Sequence, residues 1–301
     1  MISYDPKDWF SFIFRIHQSE TFRQLIPLMI AVAIYAGLIA YVEIHMVFRN
    51  DIKEITKGVS NIYSILGFTL SLLLVFRTNS AYERWWDGRK LWGELTNVSR
   101  SFSIHMHAIL KSSDNLERKS LSRMIAAFAF CLQAHLKDEK VDADYFDDQL
   151  KGTFFEDKVD LFANAIHQPI EIQKALVAYV QVLFESGKLN TQEIYHFKSE
   201  LFKLMDVCGA CERIKNTPIP FSYSVFLKKF IFFYVMLFPV IYCMQMSYFI
   251  IPVTAFILYV LASVELIAEE IENPFNGDAN DIPAFEISQN IARNVRHILG
   301  G

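Results

Sequence analysis

Glycine, proline and cysteine are all scarce in this 301-residue chain, which holds 11, 9 and 4 of them. Their scarcity excludes collagen-like repeats, long disordered regions and a disulfide framework. An excess of positive charge is lacking as well: the net charge is −4, and no basic cluster indicates nucleic-acid binding. Hydrophobic residues, in contrast, make up 52% of the chain, while 21% of the residues are charged. The composition therefore predicts a membrane protein with a large water-exposed portion.

Motifs of catalysis and cofactor binding are missing too, since the sequence has no GxGxxG, Walker-type glycine loop, HExxH or GxSxG. Cys208 and Cys211 form a lone CxxC without a second ligand pair or a βα context. We interpret them as two small residues one turn apart on a helix. His105 and His107 have no third ligand close by in the sequence, so we interpret them as surface or interface residues. We expect a protein that is not an enzyme and needs no cofactor.

Four apolar runs are candidates for membrane helices: residues 25–48, 62–76, 230–243 and 247–264. The first is long enough to cross a bilayer alone. The second is short and rich in small residues, which suits a helix packed among other helices. About 150 residues with helical periodicity and many charges separate the second run from the third. The pattern predicts an all-α membrane protein with four transmembrane helices and a helical soluble domain.

Four spans place both termini and the central domain on one side of the membrane. Early charges such as Asp5 and Lys7 predict that no signal peptide is present, and free cysteines suit a reducing compartment. We therefore expect this side to be the cytoplasm. The predicted parts are an N-terminal cytosolic or interfacial segment (1–24), the first two spans (25–76), a cytosolic helical domain (77–228), the last two spans (229–266) and a C-terminal cytosolic segment that packs on the helical domain (267–301).

Several stretches along the chain occur in the order typical of one family: residues 76–95, 209–213, 217–221, 269–275 and 280–283. Because of these motifs, the chain resembles the bestrophin family of ion channels. The resemblance extends over essentially the whole length of the chain. The long tail of animal members is missing, so we expect a bacterial member in the inner (plasma) membrane. The resemblance implies a homopentamer with one central pore, whose neck is lined by the second span and whose conduit continues through the cytosolic domain.

The predicted neck residues are Phe68, Leu72 and Phe76. They recur every four residues and therefore share one face of a helix. Alignment with the arginine–tryptophan–tryptophan motif that follows implies that they occupy the family's neck positions. Repeated around a fivefold axis, this face would form stacked apolar rings that can gate by dewetting. Contact with lipid or with other helices is the alternative interpretation.

A second constriction, the cytosolic aperture, is also implied by the resemblance. An ungapped count back from residues 209–211 places it at Gln192, with Ile194 as the alternative. Members of the family often carry an apolar residue there, and a glutamine would weaken a hydrophobic barrier. The other interpretation is that both are ordinary surface residues of a helix.

The stretch 273–281 resembles the calcium clasp of animal bestrophins. It would place Asp278 and Asp281 on the two carboxylate positions, and backbone carbonyls would supply further oxygen ligands for Ca²⁺. However, Ala279 and Asn280 interrupt the acidic run of the animal proteins. The alternative, which we favour, is that Asp281 caps the last helix.

Taken with the resemblance, these residues predict a channel that passes monovalent ions passively. Animal members conduct chloride and bacterial members include cation channels, and the slightly acidic net charge favours a cation preference. An anion channel of the same family and a non-conducting membrane scaffold are the alternatives. The expected partners are further copies of the chain, the lipid bilayer and monovalent ions.

Overall fold

The computed structural model of the protein describes residues 20–46, 52–278 and 280–300. These residues form helices and no strand, which confirms the all-helical prediction. The predicted segment 1–24 and the last residues of the first apolar run lie largely outside the described residues. The α-helices are α1 (Glu20–Met46), α2 (Ile52–Ile109), α3 (Asn115–Leu136), α4 (Ala143–Leu150), α5 (Val159–Ala163), α6 (Gln168–Glu185), α7 (Thr191–Asn216), α8 (Phe221–Met246), α9 (Ile250–Glu272) and α10 (Ala284–Leu299).

The helices divide into two compact units. One, which we call the central unit, consists of Arg84–Thr217 and Asn273–Gly301. The other, which we call the apolar unit, consists of the described residues up to Glu83 and of Pro218–Glu272. The long helix α2 contributes residues to both.

The apolar unit contains α1, the first part of α2, α8 and α9. Among the described residues, three helical stretches are long and apolar enough to cross a membrane, namely Phe22–His45, Gly58–Ile109 and Phe221–Glu272. The third stretch comprises α8 and α9, which are joined by a single 3-10 turn, Ser247–Phe249. Helix α8 continues through Pro239, as expected where neighbouring helices surround a proline.

Helix α2 is 58 residues long and extends well past the predicted apolar run 62–76. Its buried residues explain this length. Tyr63, Leu70, Leu74, Arg77 and Ala81 are buried, and their spacings of three, four and seven place them on one side of the helix. Helix-breaking prolines are absent from the whole helix. The row of buried residues therefore continues past the apolar run, and its packing stabilises the helix where the exposed residues are charged.

The core of the central unit is built around α3. Met124, Phe128 and Leu132 of this helix are fully buried, and α3 packs against α6 and α10. Cys208 and Cys211 are buried, free cysteines on α7, which confirms their interpretation as small helix residues. Burial, together with the nearby Glu212 carboxylate, raises the pKa of the Cys211 thiol to about 12. The thiol is therefore protonated at neutral pH and unsuited to redox exchange.

Candidate functional site

The predicted neck residues lie on the exposed side of α2. Phe68, Leu72 and Phe76 are 67%, 43% and 63% exposed in the single chain. With a rotation of about 100° per residue, Leu72 points about 180° away from the packed side defined by Leu70 and Leu74. The three side chains therefore form an apolar stripe directly opposite the face that holds α2 in the apolar unit.

Polar side chains beside this stripe are satisfied by the helix itself. The Thr69 hydroxyl donates to the carbonyl of Ile65 at 3.0 Å, and the Ser71 hydroxyl donates to the carbonyl of Gly67 at 2.9 Å. Such back-bonding directs the hydroxyl hydrogens toward the helix backbone. The stripe is therefore a hydrocarbon surface, and the hydroxyl groups beside it have little hydrogen-bonding capacity left for water. Surfaces of this kind favour dewetting in a narrow pore.

Gly67 sets how closely this part of α2 approaches α8. A Cβ atom at Gly67 would lie 2.5 Å from the Tyr234 hydroxyl oxygen and 3.1 Å from its ring carbon Cζ. The Tyr234 ring stacks on Tyr63 with centroids 4.2 Å apart, so it has little freedom to withdraw. This contact fixes the rotation of α2 and thereby keeps the Phe68 side facing outward.

The predicted aperture residue, Gln192, is exposed in the first turn of α7. This helix begins with a capping box in which the Asn190 side chain accepts from the backbone of Gln192 and Glu193. Gln192 lines a cavity of about 310 Å³ together with residues of α2. Ile194, the alternative, is only 6% exposed. Association with further chains cannot expose a buried side chain, so Gln192 remains the candidate.

The segment before α10 contradicts the capping interpretation of Asp281. Helix α10 begins at Ala284, and Pro283 precedes it without a side-chain cap bond. The Asp281 carboxylate is 5% exposed, and its Oδ2 atom accepts from the backbone N–H groups of Gly277 at 2.5 Å and Asp278 at 3.0 Å. Gly277 has φ +99°, a conformation that favours glycine. Asp281 therefore closes the preceding loop instead of capping the helix.

Two of the motifs seen in the sequence meet at this loop. The Trp85 indole donates to the carbonyl of Asn280 at 2.9 Å. A Cβ atom at Gly88 would lie 2.9 Å from Ile282 Cδ1 and 3.1 Å from Phe275 Cζ, so a larger residue would displace these side chains. The motifs around residues 85–88 and 273–283 are thus the two halves of one packing arrangement in the central unit.

Comparisons with known proteins identify the family. A family model described as bacterial and fungal bestrophin protein matches residues 1–297. The chain belongs to this bestrophin family. A Nostoc protein named voltage-dependent anion channel-forming protein is 31% identical over 234 residues, which cover 77% of this chain and 75% of the Nostoc protein. A Synechocystis protein of the same descriptive name is 30% identical, covering 76% and 74%.

The fold of this bestrophin chain is also that of a solved structure. The crystal structure of a bacterial bestrophin homologue from Klebsiella pneumoniae superposes with a TM-score of 0.79. The match covers 92% of this chain and 98% of the Klebsiella chain at 24% sequence identity. At that identity the likeness establishes the shared fold.

Calcium is the ion that the family resemblance suggests for the loop at residues 273–281, and the side chains present do not fit it well. Oδ2 of Asp281 already accepts two backbone N–H groups, and Asp278 is the exposed second carboxylate. The Lys137 ammonium approaches the loop closely, since it would lie 3.3 Å from a Cβ atom at Gly277. Calcium needs six to eight oxygen ligands, and a nearby ammonium repels it. The loop is therefore held together by its own hydrogen bonds and not by a calcium ion.

Replacing Asp281 tests the loop-closing role. We expect Asp281→Ala to lower the free energy of unfolding by about 1.5–3 kcal/mol, because two backbone N–H groups lose a charged acceptor. Asp278→Ala, on an exposed side chain, should change it by less than about 0.5 kcal/mol. Thermal unfolding followed by tryptophan fluorescence measures both, and calorimetry with CaCl₂ should show no saturable heat. Tight Ca²⁺ binding that both substitutions abolish would contradict this interpretation.

Arg77 is a further residue of interest, because a position directly below the predicted neck suggests a side chain that lines the conduit. It directly follows Phe76, yet its side chain is buried on the packed side of α2. Its Nε atom donates to Glu265 Oε1 at 3.5 Å and its Nη2 atom to Glu272 Oε2 at 2.7 Å. The other oxygen of Glu272 accepts from the backbone N–H of Ile219 at 2.6 Å. This buried charge network joins α2 to both ends of the α8–α9 segment within the apolar unit.

Proposed function

We propose that this bestrophin chain forms a homopentameric anion channel in a bacterial plasma membrane. In this proposal each protomer crosses the membrane with α1, the first part of α2, α8 and α9, and keeps both termini in the cytoplasm. Phe68, Leu72 and Phe76 line the neck, and Gln192 lines the cytosolic aperture. Ions pass down their gradient without a chemical step or a required cofactor.

The observation that carries this proposal is the apolar stripe on α2. Phe68, Leu72 and Phe76 are exposed opposite the packed side of a helix that is long and apolar enough to cross a membrane. Gly67 and the Tyr63–Tyr234 stack hold that orientation. Relatives of this chain are named channel-forming proteins. An exposed apolar stripe on the second span of such a protein is best explained as the lining of a pore.

Anion conduction replaces the cation preference that the net charge favoured. The Nostoc and Synechocystis relatives are both named anion channel-forming proteins. The net charge of −4 is a sum over the whole chain. It does not give the local charge at the neck, because the stripe there consists of uncharged side chains. Aromatic rings have a positive edge, so rings of Phe68 and Phe76 that turn their edges to the axis would favour an anion without a fixed charge.

A reversal potential distinguishes the two ions. In planar bilayers with a NaCl gradient, we expect single-channel currents that reverse close to the chloride equilibrium potential. Native mass spectrometry of the same sample should give about five times the 34.9 kDa protomer mass. Reversal close to the sodium potential would favour the cation channel, and pentamers that never conduct would favour the membrane scaffold.

A further inference from the structure

A cluster of two histidines and one glutamate lies in the central unit, and its two histidines line the same cavity as Gln192. His105 comes from α2, and His196 and Glu200 come from α7. The Nδ1 atom of His105 lies 3.1 Å from Glu200 Oε1 and 3.1 Å from His196 Nε2. The remaining distance, from His196 Nε2 to Glu200 Oε1, is 3.6 Å. The three atoms form a nearly equilateral triangle.

This triangle has the size of one face of a zinc coordination sphere. With bonds of about 2.0–2.2 Å and tetrahedral angles, neighbouring ligand atoms of Zn²⁺ lie roughly 3.3–3.6 Å apart. The observed separations of 3.1–3.6 Å need adjustments of only a few tenths of an ångström. We propose that His105, His196 and Glu200 bind Zn²⁺, or a similar transition-metal dication, in each protomer.

Burial of the three side chains suits a metal ion as well. Glu200 is 7% exposed, and its Oε2 atom is buried with no hydrogen-bond partner among the described residues. A buried carboxylate with an unpaired oxygen is costly unless a positive charge compensates it. The His105 and His196 side chains are 45% and 56% exposed, so an ion can enter and water can occupy the fourth position.

A second cluster, formed by His135, His167 and Glu212, contains the same residue types but is arranged differently. Both Nε2 atoms contact a single oxygen, Glu212 Oε1, at 2.8 and 2.7 Å. Burial raises the pKa of Glu212, but the hydrogen bonds from His167 and His135 outweigh it and lower the pKa. The Nδ1 atom of His167 accepts from the backbone N–H of Ile170 at 3.3 Å, so a neutral ring carries its proton on Nε2.

That tautomer argues against a metal at the second cluster. A ligating Nε2 atom must offer a lone pair, whereas here Nε2 donates to Glu212 and the ring caps the start of α6. The second cluster is a satisfied hydrogen-bond network. It provides a matched control for the first.

Calorimetric titration of the purified, chelator-free protein with ZnCl₂ tests the proposal. We expect saturable binding of one ion per protomer. His196→Gln and His105→Gln should each weaken binding at least about tenfold. Both side chains are exposed, so neither substitution should disturb folding, and circular dichroism verifies this. The conservative Glu200→Gln should weaken binding similarly, because it removes the negative charge.

His135→Gln is the control and should leave Zn²⁺ affinity unchanged. The proposal is overturned if the wild-type protein shows no saturable binding. It is equally overturned if His105→Gln and His196→Gln both retain full affinity, or if His135→Gln loses it. His196 lies one helical turn from Gln192, the predicted aperture residue. An effect of Zn²⁺ on the channel current would depend on the proposed function. Binding of Zn²⁺ does not depend on it, so the titration tests the site even if the protein does not conduct ions.

Discussion

Replacing Phe68, Leu72 and Phe76 together by alanine is expected to raise single-channel current several-fold. The substitution removes two aromatic rings and one isopropyl group from each protomer, and five copies would widen every ring of the neck. A wider and shorter apolar stretch holds water more readily, so the dewetting barrier falls. The residues are exposed in the single chain, so the helix should keep its packed side and the protomer its fold. Single-channel recording in planar bilayers measures the change.

A matched control for this triple variant comes from the other helices of the apolar unit. Ile34, Phe233 and Phe256 lie on α1, α8 and α9 and are 60%, 61% and 63% exposed. Replacing all three by alanine removes similar apolar volume from surfaces that the proposed function assigns to lipid or to neighbouring helices. We expect unchanged single-channel current in this control. Equal currents in wild type and in the α2 variant, with assembly intact, would remove the stripe from the pore.

The sequence allowed a good prediction of the helices and of the stripe on α2. Both depend on local periodicity, which a single chain records directly: Phe68, Leu72 and Phe76 are four residues apart, and the apolar runs coincide with α1, α8 and α9. The full extent of α2 was less evident. Its second half has charged exposed sides, and only the positions of buried residues such as Trp92 and Phe102 continue the packed side.

Features that depend on distant partners could not be predicted in the same way. Asp281 stands close to a helix start and suggested a cap, but its carboxylate turns back to a loop whose shape depends on the positive φ of Gly277. His105 gains its partners from residues 91 and 95 positions away. The spacing of His196 and Glu200, four residues apart on one helix face, was the available signal for that cluster.

Arg77→Ala is expected to destabilise the apolar unit strongly. The substitution removes the guanidinium that pairs with Glu265 and Glu272, and removing one partner of a buried ion pair costs about 3–5 kcal/mol. Arg77→Lys should recover only part of this loss, because one ammonium cannot reproduce the two arms of the guanidinium that reach both carboxylates. For a chain of this size the alanine variant should lower the apparent unfolding temperature by roughly 5–15 °C.

The same helix supplies the control, because Lys90 and Asp87 form an exposed ion pair at 3.0 Å on α2. Lys90→Ala should change the unfolding temperature little, since exposed pairs contribute about 0–1 kcal/mol. Thermal unfolding in detergent, followed by tryptophan fluorescence, compares the two variants. Combining Arg77→Met with Glu265→Gln and Glu272→Gln should restore part of the stability, because no buried charge is then left unpaired. If Arg77→Ala unfolds at the same temperature as Lys90→Ala, the buried network does not hold α2 to the α8–α9 segment.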